Sequence, residues 1–140
     1  MLRKLILPDR IYQSIVDHSR EASPMEAVGF VGGASDGRAK LTIALPNLAG
    51  PRSFLADPYA QFQAERQLRG AGLTLLAIYH SHPGGGTQLS EVDKIFGARK
   101  DVLHVVVALN RSHYLGEEIR AFRVLGSSAK EVEIHREAAG

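Results

Sequence analysis

The stretch Leu73-Thr74-Leu75-Leu76-Ala77-Ile78-Tyr79-His80-Ser81-His82-Pro83 begins as a nearly continuous apolar run and closes on two histidines and a proline. Leu73 to Tyr79 has the length of a strand and almost no polar alternation, which suits a central strand covered on both faces. Successive strand side chains point to opposite faces, so His80 and His82 point the same way and two imidazoles converge on one point. Pro83 restricts His82 to extended backbone geometry, which keeps the pair in register where the strand ends.

Upstream of this run, Asp57-Pro58 fits a helix N-cap followed by proline at the first helical position. Ala60, Ala64 and Leu68 then step by four up to Gly70 and Gly72, as expected of a helix packed on one side. Ala27 to Val31 is apolar and ends in Gly32-Gly33, and Lys40 to Leu45 follows; a strand pair joined by the polar turn Ala34 to Arg38 is expected. At the start, Leu5 to Leu7 reads as a short strand. After Pro8 and Asp9, the spacing of Ile11, Tyr12, Ile15 and Val16 predicts an amphipathic helix.

Downstream, Ser90 can cap a third helix with Val92, Ile95, Phe96 and Arg99 on one side, and Asp101 to Leu109 reads as another buried strand. Glu118 to Leu125 and Glu131 to His135 alternate as two closing strands joined at Gly126-Ser127-Ser128, leaving Arg136 to Gly140 as a frayed tail. There is no internal repeat and no linker rich in Pro, Gly or Ser. The length of 140 residues is that of one domain, so residues 1–140 are expected to form a single α/β (α+β) domain with a mixed central β-sheet flanked by helices.

Composition narrows the function classes. Lys plus Arg number 17 against 15 for Asp plus Glu, and the basic residues are scattered among acidic ones, so no nucleic-acid partner is expected. The chain has no cysteine, which excludes a thiolate nucleophile, a Cys-ligated zinc and any disulfide. If it cleaves amide bonds, it must use activated water or a hydroxyl. The apolar stretch Leu5-Ile6-Leu7 is halted by Pro8 and Asp9, far short of a signal peptide, and no later stretch approaches the ~20 apolar residues of a membrane span. The expected location is the cytoplasm, with no membrane partner.

Asp93 follows the loop Gly84-Gly85-Gly86-Thr87-Gln88-Leu89, near the start of the helix capped by Ser90, and a carboxylate there could reach the point on which His80 and His82 converge. Two nitrogens and one oxygen match catalytic zinc, which commonly takes three protein ligands and leaves a fourth position to water. Each fragment also has a plainer meaning. A His-x-His pair at a strand end can be structural or superficial, and both Ser90-x-x-Asp93 and Ser23-x-x-Glu26 have the form of a helix capping box, although Val28 to Gly33 reads as strand. His104 lies within a strand pattern and reads as a hydrogen-bonded core or edge residue. His18, His113 and His135 have polar neighbours and read as surface residues.

His80-Ser81-His82-Pro83, six intervening residues and then Ser90-Glu91-Val92-Asp93 together resemble the JAMM motif of the MPN (Mov34/PAD-1) metalloproteases. Pro24-Met25-Glu26-Ala27-Val28-Gly29 resembles the Pro-x-Glu-x-x-Gly element that completes this motif upstream. The resemblance runs from the first helix to the strand near Phe122. It implies an MPN/JAMM fold of cytidine-deaminase-like architecture and one catalytic zinc held by His80, His82 and Asp93. It further implies Glu26 as the acid/base and Ser90 as a group that helps hold the oxyanion. The roles are chemically coherent: a partly desolvated carboxylate can take a proton from zinc-bound water and return it to the leaving amine. Nucleobase deaminases share a His-based strand-to-helix site but need paired cysteines downstream, which are absent here.

The same resemblance implies an isopeptidase or peptidase of the compact prokaryotic type. Its partner would be a ubiquitin-like or sulfur-carrier protein with a C-terminal Gly-Gly. Two other readings are a scaffold of the same fold without activity and a DNA-associated protein resembling RadC. The intact ligand set argues against the scaffold. RadC-like chains usually carry Asn where Ser81 stands, and the weak net charge of +2 gives no support to DNA binding.

Overall fold

The computed structural model of the chain describes residues 2–49, 55–84, 86, 101–109, 116–126 and 128–138. The helix expected after Ser90 lies outside the described residues, as do Ser90 itself, Asp93 and His113. In chain order the elements are β1 (Lys4–Pro8), α1 (Asp9–Ala22), β2 (Val28–Gly33), β3 (Ala39–Leu45) and α2 (Pro58–Gly70). There follow β4 (Thr74–His82), β5 (Leu103–Leu109), β6 (Glu117–Leu125) and β7 (Ser128–Glu137). Among the described residues, seven strands form one sheet in the order β1-β7-β6-β5-β4-β2-β3. Strands β4 and β5 pair in parallel, as do β1 and β7, and the remaining neighbours are antiparallel. The mixed sheet with flanking helices is therefore the architecture that the sequence pattern predicts.

The helices start where their sequence signals place them. In α1, Asp9 sits in the first turn, where a negative charge favours the helix dipole, and Ile11, Ile15, Val16 and Ser19 are buried. In α2 the side chain of Asp57 accepts the backbone N–H of Tyr59 at 3.0 Å, with Pro58 opening the helix and Ala64 and Leu68 turned inward.

Alternation along the central strands divides the core into two layers. Ala27, Val31, Ala77 and Tyr79 pack with Leu7, Ile11 and Ile15 on the α1 side of the sheet. Val28 and Phe30 pack with Ala64 and Leu68 on the α2 side, with Ile78 against them. Strand β5 is buried along its whole length, as a strand covered on both faces must be.

The structure differs from the sequence reading in three places that bear on function. First, β4 extends beyond the apolar run Leu73 to Tyr79 through His82, so the strand geometry expected of the two histidines is fixed by pairing with β5. Second, β7 runs to Glu137 because β1 pairs with it in parallel, Leu7 opposite Arg136 and Pro8 opposite Glu137. Arg136 and Glu137 thus belong to the sheet and not to a loose tail.

Third, His18 is half-buried, with Nδ1 2.6 Å from the Tyr79 hydroxyl. Its polar neighbours in sequence pointed to the surface, but the helical period that buries Ile11 and Ile15 also carries position 18 toward the sheet. Burial lowers the His18 pKa and raises that of the Tyr79 phenol, so the two groups meet as a neutral pair. The Tyr79 ring lies against β2 at Gly29, its partner in the strand register. A Cβ at Gly29 would come within 2.4 Å of the ring, so this position admits no larger residue without displacing Tyr79.

No helix among the described residues is long and apolar enough to cross a membrane.

Candidate metal centre

The antiparallel register between β2 and β4 sets Val28 opposite His80. The ladder continues beyond β2, because the Ser81 N–H donates to the Ala27 carbonyl at 3.0 Å. The Ser81 hydroxyl in turn accepts the Ala27 N–H at 2.8 Å, from the other face of β4. Extending this register by two residues brings Glu26 opposite His82, on the same face as His80. The alternation that stacks the two histidines therefore also delivers the glutamate to them.

Donor atoms of Glu26, His80 and His82 lie within 4.8 Å of one another. Glu26 is 6% exposed and His80 is fully buried, whereas His82 is partly open to solvent. The cap interpretation of Ser23-x-x-Glu26 does not hold: α1 ends at Ala22, Ser23 is its C-terminal cap, and Glu26 leads into a strand.

Hydrogen bonding determines what each imidazole offers. Nδ1 of His82 lies 2.9 Å from the carbonyl oxygen of Gly86, which can only accept. In a neutral ring that assigns the proton to Nδ1 and leaves a lone pair on Nε2. Nε2 of His82 is 3.0 Å from Nε2 of His80. Two such nitrogens at this distance need either a proton or a cation to share. Two imidazole nitrogens and a carboxylate form a donor set suited to a zinc-like divalent ion, so the residues fit a metal.

The backbone of Glu26 is held from the opposite side of the site. Asn47, in the connection after β3, donates from Nδ2 to the Glu26 carbonyl at 2.9 Å. Its Oδ1 accepts the backbone N–H groups of Ala49 and Leu55, each at 2.9 Å. One side chain thus orders its own connection and holds the chain that carries Glu26. On the β5 side, Nε2 of His104 meets Nδ1 of His80 at 3.0 Å. His104 is 2% exposed, in agreement with its reading as a hydrogen-bonded core residue.

Of the five site residues expected from the sequence, three come together and two, Ser90 and Asp93, lie outside the described residues. Sequence reasoning missed the supporting groups Asn47, Ser81 and Gly86. Only Asn47 gave a signal: an asparagine after Pro46 at a strand end favours a turn made by its own side chain. A cavity of about 380 Å³ bordered by Leu2, Thr74, Val102 and Arg123 lies at the opposite end of β4 from His82, and takes no part in this centre.

Known proteins resemble this chain in sequence and in fold. Residues 8–125 match the family described as prokaryotic homologs of the JAB domain. A curated relative from Thermus thermophilus, described as a probable TtuB-protein conjugate cleaving protease, is 37% identical over 83 residues. That match spans 58% of this chain and 55% of the relative, so little over half of the relative's length is represented. Among solved structures, a protein from Desulfitobacterium hafniense superposes with a TM-score of 0.85 at 26% identity, covering 96% of this chain and 94% of the other. A JAB1/MPN domain protein from Archaeoglobus fulgidus shares the fold, with a TM-score of 0.66 at 19% identity over 96% of this chain and 98% of its own.

Proposed function

Since this chain belongs to the family of prokaryotic homologs of the JAB domain, we propose that it is a zinc-dependent peptidase acting in the cytoplasm. It hydrolyses the amide bond that follows the C-terminal Gly-Gly of a ubiquitin-like or sulfur-carrier protein. The observation that carries this reading is the convergence of Glu26, His80 and His82 within 4.8 Å at the paired ends of β2 and β4. The description of the Thermus thermophilus relative as a conjugate-cleaving protease supports the choice of substrate class.

In this proposal His80, His82 and Asp93 hold the ion. A bound zinc supplies Lewis acidity and brings the pKa of water toward neutrality. Glu26 accepts the proton of the attacking water and returns it to the nitrogen of the leaving amine, which completes the hydrolysis without a covalent intermediate. Asn47 fixes the Glu26 backbone so that the carboxylate meets the water in one orientation. Ser90 donates a hydrogen bond to the developing oxyanion, a contribution of about a few kcal/mol where the geometry is right.

The carrier tail would bind as an added strand along a sheet edge leading to the site, since extended peptides commonly dock this way. A narrow approach favours glycine beside the scissile bond. The test is cleavage of a carrier-protein fusion whose Gly-Gly is replaced by bulky residues. Turnover should fall steeply, and unchanged turnover would count against a Gly-Gly tail as the recognised element.

A further inference from the structure

We propose that His104 is a positioning residue for the metal centre: its imidazole accepts a hydrogen bond from Nδ1 of His80 and so holds His80 with Nε2 turned to the ion. This inference rests on the metal-dependent reading of the site and adds to it a residue outside the sequence motif.

His82, His80 and His104 form a row of three imidazoles whose protons are set by their partners. The Gly86 carbonyl requires a proton on Nδ1 of His82, so that ring presents a lone pair at Nε2. For the ion to be shared, His80 must also present a lone pair at Nε2, which lies 3.0 Å from its counterpart. The proton of a neutral His80 then resides on Nδ1, 3.0 Å from Nε2 of His104. That nitrogen must accept, which assigns the proton of His104 to its own Nδ1. Each metal-facing ring thus has a defined acceptor behind it: a backbone carbonyl for His82 and a third imidazole for His80. Ligating histidines ordinarily donate to a carboxylate, a carbonyl or water, and such partners fix both tautomer and ring orientation.

The surroundings explain why an imidazole serves here. His104 borders a cavity of about 50 Å³ whose wall is formed mainly by apolar side chains, Val28, Phe30 and Ile78 among them, with the amide of Gln61 as its other polar residue. A carboxylate in that wall would place a charge among mainly hydrocarbon side chains, whereas a neutral ring supplies the acceptor without one. Strand β5 holds the ring in place, since His104 is registered between Ile78 of β4 and Phe122 of β6.

Two measurements test the assignment. In the zinc-loaded wild-type protein, long-range ¹H–¹⁵N correlation spectra should show His104 protonated at Nδ1 and bare at Nε2. A proton on Nε2 of His104 would overturn the proposal, and this readout requires no variant to fold. In competition with a chromogenic chelator, His104→Leu should weaken zinc affinity about 10- to 100-fold. His104→Gln, which offers an amide oxygen at a similar reach, should recover most of the loss. Wild-type affinity in His104→Leu would show that the ring only fills space. If the wild-type protein takes up no zinc at all, the metal reading itself fails; zinc uptake with a proton on Nε2 of His104 removes the His104 assignment alone.

Discussion

Glu26→Gln is expected to lower kcat by about 10²- to 10⁴-fold, the usual contribution of a general acid or base, with zinc content and melting temperature close to wild type. The amide keeps the size of the side chain and most of its hydrogen-bonding capacity but cannot take the proton of the attacking water. The backbone bonds that place residue 26 are untouched by the change. Asn47 still donates to its carbonyl, and the Ala27–Ser81 pair still closes the ladder behind it. Steady-state cleavage of a carrier fusion, alongside metal analysis and thermal melting of the same preparation, separates the possibilities. Loss of zinc in Glu26→Gln would make Glu26 a ligand or a structural support, and wild-type turnover would end its role as base.

His82→Ala is expected to abolish zinc retention, whereas the wild-type chain should retain about one ion. Among the described residues, His82 supplies one of the two imidazole nitrogens at the point of convergence, and its removal should leave a donor set too small to hold the ion. Asp93→Asn should weaken retention by a smaller step, because a neutral amide oxygen is a poorer partner for a dication. Metal analysis after gel filtration checks both. Full occupancy in His82→Ala would contradict the proposed ligand set.

The two histidines were legible in the sequence for a local reason, whereas the role of Glu26 came only from the resemblance to the JAMM motif. The apolar run before His80, the two-residue step to His82 and the following proline are short-range signals that depend only on strand geometry. The helix-start signals at Pro8-Asp9 and Asp57-Pro58 are equally local, and both helices begin there. The contacts that support the site are of another kind. Asn47 reaches Glu26 across 21 positions, His104 meets His80 across 24, and Tyr79 bonds His18 across 61. Such pairs exist only once sheet order and register are set, and a single sequence does not carry the register. His18 shows the limit well: its neighbours in sequence are polar, yet its partner is a buried ring on β4 that no local pattern announces. The frayed end assigned to Arg136 and Glu137 was misjudged for the same reason, since only the parallel pairing with β1 orders them.

The reading of this chain as a metal-dependent peptidase is tested most directly by following cleavage of a Gly-Gly carrier fusion through one cycle of chelation and zinc restoration. Cleavage should disappear with the ion and return when zinc is added back to the stripped protein. Undiminished cleavage by protein that metal analysis shows to be free of zinc would contradict it.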